Sequence, residues 1–178
     1  GVPAEELINK FNFNLSDLEA YLPVDPYEIE KTSTQVHYLG YYIKWHPQEV
    51  YYYSVENTDF KPNEYRTEGS YSKYSSLDDK IDWLHYYTTT IKFAIGRATY
   101  DSAQEIRNGD ISRDEGIALV KRFDGEFPNE YLKDCCEYMD ISVDEFNDSI
   151  EKFRSPHLWK KEFGKWALKK PIWKEGNI

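Results

Sequence analysis

The 178 residues include only two cysteines and one methionine. No apolar run approaches the ~18 residues needed to span a bilayer. Cys135 and Cys136 are adjacent, and neighbours on a helix point about 100° apart, which suits a disulfide poorly. No Cys or His spacing resembles a zinc site. With no secretory leader in view, these absences predict a reduced, cytoplasmic protein without a membrane segment. Positive charge is also in deficit: 22 Lys and Arg face 32 Asp and Glu, for a net charge of -10. That balance argues against a non-specific nucleic-acid binder. GxGxxG, GxxxxGK[ST] and GxSxG are all missing, so no complete catalytic apparatus is visible and no catalytic residue is assigned. The chain opens Gly-Val-Pro without an initiator Met, which leads us to expect a piece of a longer protein.

Aromatic residues are plentiful at 17%, with 16 Tyr and 5 Trp. They suit sugar or nucleotide handling, and equally an ordinary core. Near the C-terminus, Trp159, Trp166 and Trp173 alternate with Lys160, Lys161, Lys165, Lys169, Lys170 and Lys174. A polyanion site is one reading of that tail, and a strand pair with one buried face is the other. The change to period two, with a turn at 162–164, predicts a β-hairpin near 157–170. The run HYLGYYIKW predicts a lone strand near 37–45, which needs a partner in the hairpin or outside the chain.

The rest reads as helix. Pairs of the capping-box type, Ser16 with Glu19, Ser76 with Asp79, Ser112 with Glu115 and Ser142 with Glu145, mark helix starts. Pro47 and Pro128 mark two more, and Gly109 a left-handed stop. The segment 60–74 is long enough to be a binding or closing loop. The fold class is therefore mainly α, an α+β chain with one strand and one hairpin. Residues 1–60 and 61–178 are expected to form separate regions.

The chemistry-bearing side chains concentrate between 75 and 128. Asp78 and Asp82 share a helix face, where they complement the helix dipole or hold magnesium through phosphate. His85 and Lys92, seven apart, fall among apolar positions of the longest predicted helix. Lys92 with Gly96-Arg97 has the character of an anion site, since glycine admits close approach and arginine binds with a planar fork. Arg107 and Arg113 belong either to that site or to a buried network with Asp101, Glu105 and Glu115. Arg154 and His157, on a rigid turn with Pro156 and Trp159, either line a sugar or nucleotide pocket or lock the hairpin.

The run from Asp78 to Pro128, DDKIDWLHYYTTTIKFAIGRATYDSAQEIRNGDISRDEGIALVKRFDGEFP, followed by FRSPHLW and GKWAL, resembles the N-acetyl sugar amidotransferases of surface-polysaccharide and flagellin-glycan biosynthesis. YLGYYIKW and its Pro-initiated helix extend the likeness. Those enzymes are similar to PP-loop ATP pyrophosphatases. The resemblance implies the helical C-terminal part of a PP-loop-type α/β enzyme, with residues 1–60 ending its nucleotide-binding region. It implies ATP and Mg2+, a nucleotide-linked sugar, and ammonia from glutaminase and channel subunits, turning an acetamido group into an acetamidino group. The family's SGGxDS loop is absent from this sequence, so the chain alone is expected to be inactive. The alternative is a non-catalytic docking module for the glutaminase complex. Exposed Tyr51 to Tyr53 would favour docking, and a cleft lined by His85, Lys92 and Arg97 would favour a substrate site.

Overall fold

The computed structural model describes residues 2–174. It is mainly helical with one two-stranded hairpin near the C-terminus. The chain forms two compact units, one ending at Trp45 and the other starting at His46.

The first unit holds α1 (Ala4–Phe11), α2 (Leu15–Leu18), a 3-10 turn at Glu19–Tyr21, α3 (Pro26–Lys31) and α4 (Leu39–Tyr42). A reciprocal box between Asn14 and Asp17 opens α2, two residues ahead of the expected Ser16–Glu19 pair. The strand expected over 37–45 does not form; α4 occupies its centre, and the only sheet among the described residues is the C-terminal hairpin. Strand edges need a partner for every second amide, and none lies alongside. Tyr38, Tyr41, Tyr42 and Trp45 stay exposed, so no buried face rewards alternation. Local bonds from Tyr41 N–H to the Tyr38 carbonyl and from Ile43 N–H to the Leu39 carbonyl satisfy the backbone instead.

The second unit contains α5 (Pro47–Asn57), a long loop, then α6 (Ile81–Phe93), α7 (Arg97–Asn108), α8 (Arg113–Phe123), α9 (Leu132–Tyr138) and α10 (Val143–Lys152). The hairpin strands β1 (Trp159–Glu162) and β2 (Lys165–Leu168) follow, with Trp159 opposite Leu168 and Lys161 opposite Trp166. The boxes Ser112–Glu115 and Ser142–Glu145 form as expected, and Gly109 closes α7 at φ 87°. Other boundaries move. Ser76 sits at φ 56° and donates to Asp82 rather than capping, so α6 starts at Ile81, whose amide Asp79 accepts at 2.8 Å. Pro128 is buried ahead of a turn, and α9 begins only at Leu132.

The core is a seam of α6, α9 and α10: Leu84 and Ile91 meet Leu132, Cys135, Cys136, Phe146 and Ile150. Apolar side chains buried to this degree contribute about 1.5–3 kcal/mol each. The two cysteines behave here as small hydrophobes, both free and both buried. Burial pushes both thiols up from their ordinary range. α7 and α8 pack as a helical pair at Gly116, where an added Cβ would stand 2.7 Å from Ile106.

Candidate functional site

The hairpin leans on the C-terminal half of α6 and encloses a cleft of about 510 Å3. Tyr87, Thr90 and Ile91 form one wall, Trp159 and Trp166 another, and Asp124 with Gly125, Lys160, Glu162 and Trp173 rim it. Period-two alternation explains why two indoles converge: Trp159 and Leu168 are cross-strand partners, as are Lys161 and Trp166, so these four share a face.

Both indoles are fixed. The Trp159 Nε1–H donates 2.8 Å to the Ile91 carbonyl, one of the last-turn carbonyls of α6 that lack a helical donor. The Trp166 Nε1–H donates 2.6 Å to Glu151. Arg154 lies between them, its guanidinium 4.7 Å from the Trp159 ring and 5.4 Å from the Trp166 ring. Its side chain is only 9% exposed, held by Glu151 at 3.2 Å and by the Tyr87 hydroxyl at 3.4 Å. Burial works against the Glu151 charge, but the Trp166 and Arg154 hydrogen bonds outweigh it and hold the carboxyl below its ordinary range. Glu151 thus orients one cation and one indole together. Two rigid aromatic faces, an oriented guanidinium and the Lys160–Glu162 pair at 2.7 Å suit a polar ring with an apolar face.

The three side chains expected to share one site do not converge. His85 and Lys92 line a groove on the other side of α6. Arg97 belongs to a scaffold. It donates 2.8 Å to Asp101 and 3.2 Å to Ser75, and lies over the rings of Tyr86 and Tyr100. Ser70 donates to the same Asp101 at 2.6 Å. The 60–74 segment is accordingly no open lid: Thr67, Gly69, Ser70 and Ser72 are buried, and Arg66 grips Glu126 through two bonds.

The anion expected at Gly96-Arg97 is replaced by a carboxylate of the protein itself, and neither Lys92 nor Arg97 binds it. Asp124 accepts from the Gly96 and Thr99 amides at 3.0 and 3.1 Å, and from the Thr99 hydroxyl at 2.5 Å. It supplies the negative charge that a helix N-terminus favours. Gly96 is required sterically, since a Cβ there would stand 2.5 Å from Asp124 and from Thr90. A phosphate at this position would have to displace that carboxylate.

Of the remaining expected residues, Arg107 is exposed in the last turn of α7, where a cation complements the dipole. Arg113 is exposed at the start of α8. Exposed His157 pairs with Ser155 at 2.5 Å. Asp78 is exposed, while Asp82 accepts from Ser76 at 2.9 Å. Among the described residues no group of three His, Cys, Asp or Glu could hold a metal. Magnesium held through phosphate needs only one or two carboxylates, and of the expected pair Asp82 already accepts from Ser76. Only Arg154 of the expected set reaches the cleft. Trp166 and Glu151 carried no functional expectation beyond the alternating tail.

The family model described as "LPS biosynthesis protein WbpG-like, C-terminal domain" matches residues 68–172, more than half of the chain and the whole of the segment from α6 through the hairpin. No curated protein matches it. No helix among the described residues is long and apolar enough to cross a membrane.

Proposed function

The chain belongs to the WbpG-like C-terminal domain family of LPS biosynthesis proteins, and from that premise we propose that it is the sugar-holding part of an ATP-dependent N-acetyl sugar amidotransferase. The reaction replaces the carbonyl oxygen of a sugar acetamido group by nitrogen. A C–O bond breaks and a C–N bond forms, with ammonia delivered by a glutaminase through a channel subunit. ATP, which with Mg2+ would bind outside the residues described here, would carry that oxygen away as AMP, with pyrophosphate as the other product. In this reading the residues through 60 end the nucleotide-binding region.

The tryptophan cleft is the observation that carries the proposal. Half-buried Trp166 takes the C–H face of a hexose ring, while buried Trp159 backs Arg154 behind it. Arg154, already oriented by Glu151 and Tyr87, hydrogen-bonds an oxygen at the ring edge. Lys160, Glu162 and Lys174 at the rim meet hydroxyls and the phosphates of a nucleotide carrier.

Trp166→Ala in the intact enzyme is expected to raise KM for a nucleotide-linked N-acetyl sugar by about tenfold, the size of one aromatic contact, with KM for ATP unchanged. An unchanged sugar KM, or a loss confined to ATP, removes the cleft from the site. The reaction class is read separately, from amide-labelled glutamine. Heavy nitrogen should enter the sugar as its carbonyl oxygen is lost, and its absence from the product rejects the amidotransferase. The 178-residue chain alone should release no pyrophosphate from ATP.

One observation favours the docking alternative: Tyr52 and Tyr53 on α5 are 60% and 66% exposed. Replacing both with serine separates the readings. A docking role loses turnover with glutamine and keeps it with free ammonia, whereas a sugar-site role leaves both unchanged.

A further inference from the structure

The face of α6 that carries His85 and Lys92 takes no part in the cleft. It forms, with α10, an open groove of about 400 Å3 whose floor and lips include Phe93, Phe146, Ile150 and Phe153. Phe93 is 57% and Phe153 62% exposed, so two phenyl rings of the lining stand at the surface. No carboxylate lines the groove, although the chain as a whole carries a net charge of -10. Its only charged or titratable lining groups are His85 and Lys92. They stand seven residues apart on one rim, about 10 Å along the helix. Among the described residues neither takes part in an ion pair: His85 reaches the Thr89 hydroxyl at 3.5 Å, and Lys92 lies over its neighbour Phe93 at 5.3 Å.

We infer that this groove seats an amphipathic helix of a partner protein whose apolar stripe is flanked on one side by carboxylates seven residues apart. Helix-in-groove recognition uses apolar anchors at i, i+3, i+4 and i+7, and Phe93, Phe146, Ile150 and Phe153 supply the apolar lining that such anchors need. The Lys92 charge, with the His85 ring as a polar neighbour, then fixes which way round the helix lies, since rim charges set register and partner choice more than raw affinity. An acyl carboxylate would be covered on one side only, whereas small-ligand sites bury most of their occupant. An anionic membrane would be repelled by the rest of an acidic surface. The inference is independent of the sugar site, because it rests on the opposite side of α6.

Designed helical peptides test it by fluorescence anisotropy against the 178-residue chain. One carries leucines at the four anchor positions and two glutamates seven apart on a flank; its partner has lysines in place of those glutamates. The glutamate peptide should bind about tenfold tighter. Lys92→Glu should reverse that preference, and Phe153→Asp should abolish binding of both peptides. Lys92 and Phe153 are exposed, so thermal melting should stay at the wild-type value in both variants. Binding that ignores the charge swap or survives Phe153→Asp overturns the proposal. So does binding of decanoate or phosphatidylglycerol vesicles that is lost in the same two variants.

Discussion

Arg97→Ala is expected to lower stability by about 3 kcal/mol, because it strands a carboxylate inside the protein. The Asp101 side chain is only 11% exposed. Burial pushes its carboxyl above the ordinary range, and Arg97 with the Ser70 hydroxyl offsets only part of that rise. Without the guanidinium the acid must either keep an uncompensated charge or take up a proton. At about 2–4 °C per kcal/mol for a chain of this size, the melting temperature should fall by several degrees. Arg97→Lys should recover only part of the loss. An ammonium cannot hold Asp101 and Ser75 while lying flat between Tyr86 and Tyr100. Thermal unfolding by circular dichroism measures both variants. A wild-type melting temperature in Arg97→Ala would return this residue to the ligand-binding candidates.

Glu126→Ala should cost about 2–3 kcal/mol through a different knot, the range of hydrogen bonds to charged groups. Glu126 accepts 2.7 and 2.5 Å bonds from Arg66 and a 2.9 Å bond from the Gly69 amide. The same guanidinium donates to the Ser70 carbonyl at 3.0 Å and covers the Phe123 ring at 4.6 Å. Removing the carboxylate therefore frees the 66–70 segment from the turn after α8. Burial raises the Glu126 pKa, but the Arg66 bonds and the Gly69 amide overcome it, leaving the carboxyl below its ordinary 4.5. The unfolded chain then binds the proton first, so this contribution is complete above about pH 4.5 and fades as pH falls through the depressed native value. Urea midpoints across that window should fall less steeply for Glu126→Gln than for wild type. Parallel slopes would place the acid sensitivity elsewhere.

Much of the helical order was legible in the sequence because its signals are local. Ser112 with Glu115, Ser142 with Glu145, Pro47 and Gly109 each act within a few residues, and each ends up where its chemistry directs. The failures are tertiary. HYLGYYIKW has the composition of a strand but no neighbour to pair with, and composition cannot supply one. Ser76–Asp79 has the pattern of a box, yet Ser76 is drawn to Asp82 and Tyr86 by the loop that packs around it.

The site was legible in its parts and not in their assembly. An anion does approach Gly96, but Arg97, expected to bind it, is bonded to Asp101 instead. That the anion is Asp124, twenty-eight positions after Gly96, depends on α8 folding back along α7. His85 and Lys92 fall among apolar positions in the sequence, yet both are exposed, along a groove formed with α10. Arg154 stood out beside Pro156 and Trp159. Its second indole, Trp166, arrives only when the hairpin closes and Glu151 reaches it.

The paired cysteines of α9 have a practical consequence. Cys135 and Cys136 are 3% and 2% exposed, with thiols raised by burial, so neither offers an accessible thiolate while the core is shut. They sit where α6, α9 and α10 meet. A thiol reagent added to the native protein would therefore wait for that seam to part, and its labelling rate would count openings of the core. The chain carries a built-in clock for its own breathing, read without any introduced probe.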